Sequence, residues 1–308
     1  MMLRIATRAS ALARWQAAWV AEGLAALGHE SAFVFVETQG DREQGAFAGL
    51  EGQGFFTKAV QDALLAGEAE LAVHSHKDLP SLSPPGLEIA AVSARADPRD
   101  VLLVRPEHHD AGAGPLPLRR GCRVGTSAVR RQRQLAALRP DLARAELRGN
   151  VPTRLRKLLA GDYDAIVLAA AGLERLASEV SDLLSEVVVL PLPPEVLVPA
   201  PAQGALALET RRDAYAVASV LTELHDPASY RCVAAERGLM GMLQGGCQLA
   251  LGAYARLEGG SVRLLAWYEG QRVEVVHPSS EGAAMLAFAA LGRGARHRRA
   301  PTEHRETP

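Results

Sequence analysis

Short apolar runs alternate with amphipathic stretches from Leu3 to about residue 222, and the rhythm then changes. Leu3–Ala6 reads as a short buried strand. Ser10 then caps a predicted helix reaching Leu27, with Leu12, Trp15, Trp19, Val20 and Leu24 on one broad face. Ala32–Val36 is the next strand. The stretch TQGDREQGAFAGLEGQGFF is rich in glycine and has no period, which predicts a long mobile loop of the lid or ligand-binding kind. A helix near Thr57–Leu65 and strands at Glu70–His74 and Leu87–Val92 follow.

Beyond a turn at Asp97-Pro98-Arg99-Asp100, a strand at Val101–Val104 starts a second half that repeats the opening grammar. Arg123-Val-Gly-Thr-Ser leads into a helix at Ala128–Leu138, as Arg4-Ile-Ala-Thr-Arg-Ala-Ser leads into the first helix. Ala145–Leu147 and Asp164–Ala169 are strands, and Asn150 caps a helix with Pro152 in its first turn. The alternation predicts two similar α/β lobes with mostly parallel sheets, like those of periplasmic solute-binding proteins. The proline-rich stretch Pro191–Pro201 carries the chain between lobes, and Ala205–Glu209 is a further strand. After Asp226-Pro227 come a helix at Ala228–Leu243, strands at Leu249–Leu257 and Ser261–Tyr268, and a helix at Gly282–Leu291, a small α+β domain. The expected division is residues 1–96 with 204–222 for lobe 1, 97–203 for lobe 2, 226–292 for the C-terminal domain, and a flexible tail at 293–308.

Composition narrows the function. With 308 residues the chain exceeds a single core, and 48% hydrophobic with 22% charged residues suits a globular protein. Aromatics at 5% and a net charge of -1 lack the stacking surface and the basic field of a nucleic-acid binder. No apolar run is long enough to span a bilayer, and Arg4, Arg8 and Arg14 occupy the place of a signal peptide's apolar core. Cys122, Cys232 and Cys247 have no disulfide or zinc spacing, so a reducing cytoplasm is expected. His74 and His76 lie two apart with no supporting cluster, and no metal site is expected.

Positive charge is concentrated between Gly125 and Lys157, where Arg130, Arg131, Arg133, Arg139, Arg144, Arg148, Arg154, Arg156 and Lys157 fall. Guanidinium forks grip carboxylates with paired hydrogen bonds, so a ligand with several negative groups is the first expectation. Thr126 and Ser127 stand at a helix start that favours anions, or act as an ordinary cap. Arg130 and Arg131 in that first turn oppose the helix dipole, which marks them as candidate ligand contacts. Arg148 and Arg154 flank the next strand-to-helix join, and Arg175 follows the strand after it. Arg8 and Ser10 occupy the equivalent join of the first lobe. Arg139, Arg144, Arg156 and Lys157 read as solvated surface charges. Lys77 and Asp78 follow a buried strand in VHSHKDLP, where Asp78 reads as a general acid/base or as the holder of a developing cation, or the two as a solvated loop pair or a helix cap. Cys247 in LQGGCQLALG is either an accessible thiol or a small loop residue, whereas Cys122 and Cys232 read as packing.

LRIATRAS, TQGD, GQGFFTKAV, AVHSHKDLP, DPRD, VGTSAVRRQRQL, LRGNVPTRL, YDAIVLAAAGLERL, PAPAQGALA and LQGGCQLALG occur in this order between about Leu3 and Leu265. The set resembles the hydroxymethylbilane synthase family, also called porphobilinogen deaminases. The resemblance implies stepwise condensation of four porphobilinogen molecules into a linear tetrapyrrole with loss of ammonia, on a dipyrromethane cofactor joined by a thioether to Cys247. It assigns catalysis to Asp78, which its cationic neighbours are expected to keep ionised. Binding of cofactor and substrate falls to Arg8, Ser10, Lys77, Thr126, Ser127, Arg130, Arg131, Arg148, Arg154, Arg175 and Gln203, and the lid to Phe56 and Lys58. A small-molecule substrate, no nucleic acid or membrane partner, and a monomer are implied.

The chain departs from the family pattern at Gln53 (commonly lysine), Phe55 (leucine), Ala202 (glycine) and Ala250 (proline). These touch lid contacts rather than the reaction. Two other classes compete. An anion-binding module without catalysis leaves Cys247 and Asp78 without work, and a nucleic-acid binder lacks the aromatics and the basic domain it needs.

Overall fold

The structure is a computed structural model. It describes residues 1–36, 54–243 and 249–298, and side chains for all of these except 54–56 and 293–298. Strands Met2–Thr7 (β1), Glu30–Phe35 (β2), Leu71–Ser75 (β3) and Leu87–Val92 (β4) come from the first quarter of the chain. Strands Asp100–Val104 (β5), Arg123–Gly125 (β6), Ala143–Ala145 (β7), Ala165–Ala169 (β8) and Val188–Leu192 (β9) build a second sheet, in the order β7-β6-β8-β5-β9. The chain then returns, and Leu206–Arg211 (β10) completes the first sheet as β2-β1-β3-β10-β4.

The two lobes therefore share one strand order, but the sheets are mixed rather than mostly parallel. β1 runs parallel to β2 and β3, and β6 parallel to β7 and β8. β10 is antiparallel to β3 and β4, and β5 antiparallel to β8 and β9. The reason is the double crossing: the first strand after each passage between lobes enters its new sheet running the opposite way. β9 was read from sequence only as part of the crossing. Its Pro191 is tolerated because β9 is an edge strand paired on one side with β5.

Helix Ala11–Ala26 (α1) explains its broad apolar face. Ala17, Val20 and Leu24 fill the first lobe's core, while Leu12 packs on the second lobe's core around Leu147, Leu155 and Leu173. Ser10 Oγ accepts from Ala13 N at 3.4 Å, as a cap does. The remaining helices are Gly54–Leu65 (α2), Val129–Leu138 (α3), Val151–Leu159 (α4), Ala170–Arg175 (α5), Ala177–Leu184 (α6), Tyr215–Thr222 (α7), Pro227–Met242 (α8) and Ser280–Arg298 (α9). α8 and α9 cover a meander of Gly252–Glu258 (β11), Ser261–Tyr268 (β12) and Gln271–His277 (β13), whose last strand was not anticipated.

The two crossings lie against each other. Ala96 N donates to Gly204 O at 3.3 Å, and Leu206 N to Ser93 Oγ at 3.0 Å. A Cβ on Gly204 (φ 96°) would stand 2.4 Å from the Ala96 carbonyl oxygen, so only glycine lets the backbones approach. Two residues earlier Ala202 holds φ 62°, a left-handed conformation that costs an alanine about 1 kcal/mol. The family's glycine at that position has this physical reason.

Candidate active site

The predicted residues gather at the carboxyl ends of the parallel strands. Arg8 and Ser10 follow β1, and Lys77 and Asp78 follow β3 in a 3-10 turn, His76–Asp78. From the other lobe, Thr126 and Ser127 follow β6, Arg148 follows β7, and Arg175 closes α5 after β8. That edge is where open α/β sheets bind ligands.

The centre is a hydrogen-bonded chain across the crossings. Lys77 Nζ donates to Gln203 Oε1 at 3.2 Å. Gln203 Nε2 donates to Asp100 Oδ1 at 2.9 Å and to Pro98 O at 2.8 Å. Asp100 is fully buried and takes Arg130 Nη1 on Oδ2 and Arg131 Nη2 on Oδ1, both at 2.7 Å. Burial by itself would raise the Asp100 carboxyl. The charges and hydrogen bonds of Arg130 and Arg131 overcome it and hold the group well below the usual carboxylate range.

Asp100 was read from sequence as part of a turn. It changes the reading of the two arginines, which were expected to grip ligand. Arg130 Nη1 also donates to Val198 O at 2.7 Å and Arg131 Nη1 to Val167 O at 2.9 Å, and both side chains are buried. Their conflict with the helix dipole is resolved by an internal carboxylate. The DPRD motif was the available signal, but no spacing rule connects it to arginines thirty residues on.

Asp78 is half-buried in the 3-10 turn that follows β3. Burial raises its carboxyl, and the charges of Lys77, Arg8 and His74 only partly offset this. The net shift is upward, the reverse of the expected pull toward ionisation. Lys77 is lowered to about 8, chiefly by burial, with Asp78 and Asp100 opposing and Arg131 and Arg130 adding to the fall. Arg154 is lowered by burial and then by Arg131. Arg8 and Lys77 thus lie close to Asp78, Lys77 also feels the buried group of Asp100, Arg130 and Arg131, and Arg154 lies close to Arg131.

The other residues divide. Arg175 is buried, donates to Gly204 O at 2.6 Å and lies 5.7 Å from the Trp15 ring centroid, so it ties the second lobe to the first. Arg148 is half exposed and pairs with Glu146 at 2.6 Å, and Arg154 Nε donates to Gly149 O at 2.6 Å. Thr126 is buried. Ser127 Oγ donates to Leu147 O at 2.5 Å and accepts from Leu147 N at 3.2 Å, which joins two loops instead of facing outward. Lys58 pairs along its own helix with Asp62 at 2.7 Å. The Phe56 side chain, Gln53 and Cys247 lie outside the described residues.

Arg139 is no solvated surface charge, because Asp141 and the carbonyls of Leu116 and Leu118 hold it in the second lobe. His74 Nε2 is 3.0 Å from Glu209 Oε2. His76 is held well below its ordinary range by burial and by Arg237, so its ring is neutral. Glu236, buried like Asp100 and Glu209, has no signal in the sequence. Glu236 accepts from Arg95 Nη1, Ala202 N and Ala255 N, each at 2.6 Å, and so joins α8, the crossing and β11.

Residues 3–219 match the family description "Porphobilinogen deaminase, dipyromethane cofactor binding domain", and residues 230–268 match "Porphobilinogen deaminase, C-terminal domain". The chain belongs to the porphobilinogen deaminase family. It is 44% identical over 266 residues to the porphobilinogen deaminase of Syntrophobacter fumaroxidans, covering 85% of this chain and 82% of that one. Identity to the Roseiflexus castenholzii porphobilinogen deaminase is 45% over 269 residues, 85% of this chain and 84% of that one. A looser likeness links it to an ancestral cationic amino acid solute binding protein (16% identity, TM-score 0.45, 72% of this chain and 88% of that one). The periplasmic VFT2 domain of Bordetella pertussis BvgS is similar at 15% identity and TM-score 0.40, over 72% of this chain and 86% of that one. Likeness this loose carries no weight here. The two-lobed architecture rests on the matching strand orders, and the family's cofactor-binding match spans both lobes.

Proposed function

We infer that the cleft between the lobes condenses four porphobilinogen molecules into hydroxymethylbilane with loss of ammonia at each step, and that Asp78 carries the chemistry. The chain is a transferase of tetrapyrrole biosynthesis by its family. The donor set suits a dipyrromethane. Each pyrrole unit brings an acetate and a propionate, and the cleft holds more cations than carboxylates. The family resemblance puts the thioether on Cys247. When bound, the cofactor supplies the pyrrole carbon to which the first porphobilinogen is added.

The protein's own groups do the rest. Arg8, Lys77, Arg148 and Arg154 offer cations to the carboxylates, with Ser10 beside them, while the buried Arg175 ties the lobes together. Arg130, Arg131 and Gln203 act through Asp100, holding Lys77 in place. The Asp78 carboxylate accepts pyrrole N–H donors and offsets the positive charge that develops on the substrate ring as ammonia leaves. Its upward shift makes it a stronger base than a solvated aspartate, suited to taking a proton from the ring carbon. Lobe 1 (1–96 with 204–222), lobe 2 (97–203) and the C-terminal domain (226–292) act together in a cytoplasmic monomer.

The observation that carries this reading is Asp78 at the carboxyl end of β3 amid Lys77 and Arg8. The test joins intact mass to porphobilinogen consumption. Asp78→Asn is expected to retain the cofactor mass and lose at least about a hundredfold in turnover. Undiminished turnover would remove Asp78 from its role, and a wild-type mass without added cofactor would favour a binding module.

A further inference from the structure

At the opposite end of the second sheet, where β6 and β8 begin, His108, Cys122 and Asp164 converge. One donor atom from each lies within 4.8 Å of the other two. His108 Nε2 is 3.1 Å from Asp164 Oδ1, and Cys122 Sγ is 3.9 Å from His108 Nδ1. We propose that these three side chains bind a thiophilic divalent cation, of which zinc is the best fit, at a site separate from the cleft.

Sulfur, imidazole nitrogen and carboxylate oxygen together are a donor set suited to zinc, with one position left for water. The three residues come from three segments that the backbone holds in register. Asp164 N donates to Arg123 O at 3.0 Å, and Arg123 N donates to Asp164 Oδ2 at 2.6 Å. The carboxylate is thereby oriented, with Oδ1 turned toward His108. His108 N donates to Arg105 O at 2.9 Å, and Arg105 N to Asp164 O at 3.1 Å, so the 3-10 turn Pro106–His108 is tied to the strand that carries Asp164. Cys122 is 3% exposed, and its main-chain oxygen accepts from Ala143 N at 3.0 Å. Of the two cations that act on the thiol, Arg139 and Arg119, Arg139 acts more strongly and is paired with Asp141 at 2.8 Å. Binding displaces the thiol proton to solvent and joins Sγ, one His108 nitrogen and one Asp164 oxygen to the ion. Small movements of the half-exposed imidazole and carboxylate bring their atoms to ligand distance. The site lies away from the carboxyl ends that carry Asp78, so its effect is to brace the second lobe.

The test is titration of the cofactor-loaded full chain with cobalt(II), then zinc(II). The expected result is a thiolate-to-cobalt absorption that saturates at a single ion per chain and is displaced by zinc. It should vanish in Cys122→Ser, persist in Cys232→Ser, and require at least about tenfold more metal in His108→Gln. Zinc should raise the unfolding temperature of the wild-type chain but not of His108→Gln, whose half-exposed position lets it fold. Histidines in the tail bind cobalt without a thiolate band, so they are distinguished. Absence of that band in the wild-type chain, or its survival in Cys122→Ser, overturns the site.

Discussion

Gln203 Nε2 lies 2.9 Å from Asp100 Oδ1, and through that contact the passage between the lobes is joined to the charge network of the second lobe. The same glutamine takes Lys77 Nζ on its other atom at 3.2 Å, so a single amide orients a cleft cation from lobe 1. In the proposed function Asp100 is consequently a positioning residue, buried behind Gln203 and the two arginines.

Replacing Asp100 by Asn leaves Arg130 and Arg131 buried without their counter-charge. Breaking a buried pair in this way costs about 3–5 kcal/mol. The denaturant midpoint should fall accordingly, with loss of cofactor loading measured by intact mass. A midpoint within experimental scatter of wild type would show the arginines to be stabilised otherwise.

Arg131 and Arg148 should part company. Arg131→Ala removes a buried donor to Asp100 and should destabilise by about 3 kcal/mol or more. Arg148 is half exposed and its Glu146 partner is exposed, so Arg148→Ala should change stability by less than about 1 kcal/mol while tetrapyrrole yield drops. Thermal melts beside a product assay separate the two effects.

Lys77 sets an alkaline limit. Burial is the chief cause of its fall to about 8, so the charged form proposed to grip carboxylate is expected to be lost above that pH in the free enzyme. The kcat/KM profile, which reports free-enzyme groups, should fall through about pH 8, and the fall should move upward in Lys77→Arg. The stability sign is opposite. Between about 8 and its ordinary value near 10.5 the unfolded chain binds a proton that the folded chain does not, so this residue's burial penalty is relieved as pH rises. Lys77→Met should therefore gain stability at pH 7 and lose that gain by pH 10.

Asp78 sets the acid side. Burial raises it, and Arg8 is among the charges that hold the rise in check. Removing that charge in Arg8→Gln should push the acid limb of kcat/KM to higher pH. An unmoved limb would assign it to another group.

Glu236 holds three segments from outside the cleft. Glu236→Ala should cost about 3–5 kcal/mol, seen as a lower unfolding temperature, because Arg95 and the Ala202 and Ala255 N–H groups lose their acceptor. Turnover per folded molecule at low temperature should be much less affected than in Asp78→Asn.

Local rules carried the sequence far. Ser10 and Asn150 cap their helices because a side-chain oxygen satisfies a free N–H within three residues, an effect visible in a four-residue window. The repeated strand–turn–helix grammar foretold two lobes because hydrophobic period depends on neighbours alone. Strand direction was not legible: β5 and β10 read as ordinary buried strands, and their antiparallel entry follows from where the chain crosses.

Most of the elements and the family were legible in the residues alone, since caps, periods and ordered motifs act through short separations, whereas β9 and β13 were not. Only the tertiary structure decided which charges face the cleft. Asp100 meets Arg130 and Arg131, and Glu236 meets Arg95, across separations that no local pattern encodes. Burial raises Asp78 because removal from water disfavours the charged form, and at Asp100 the two guanidinium groups the fold sets beside it outweigh that cost.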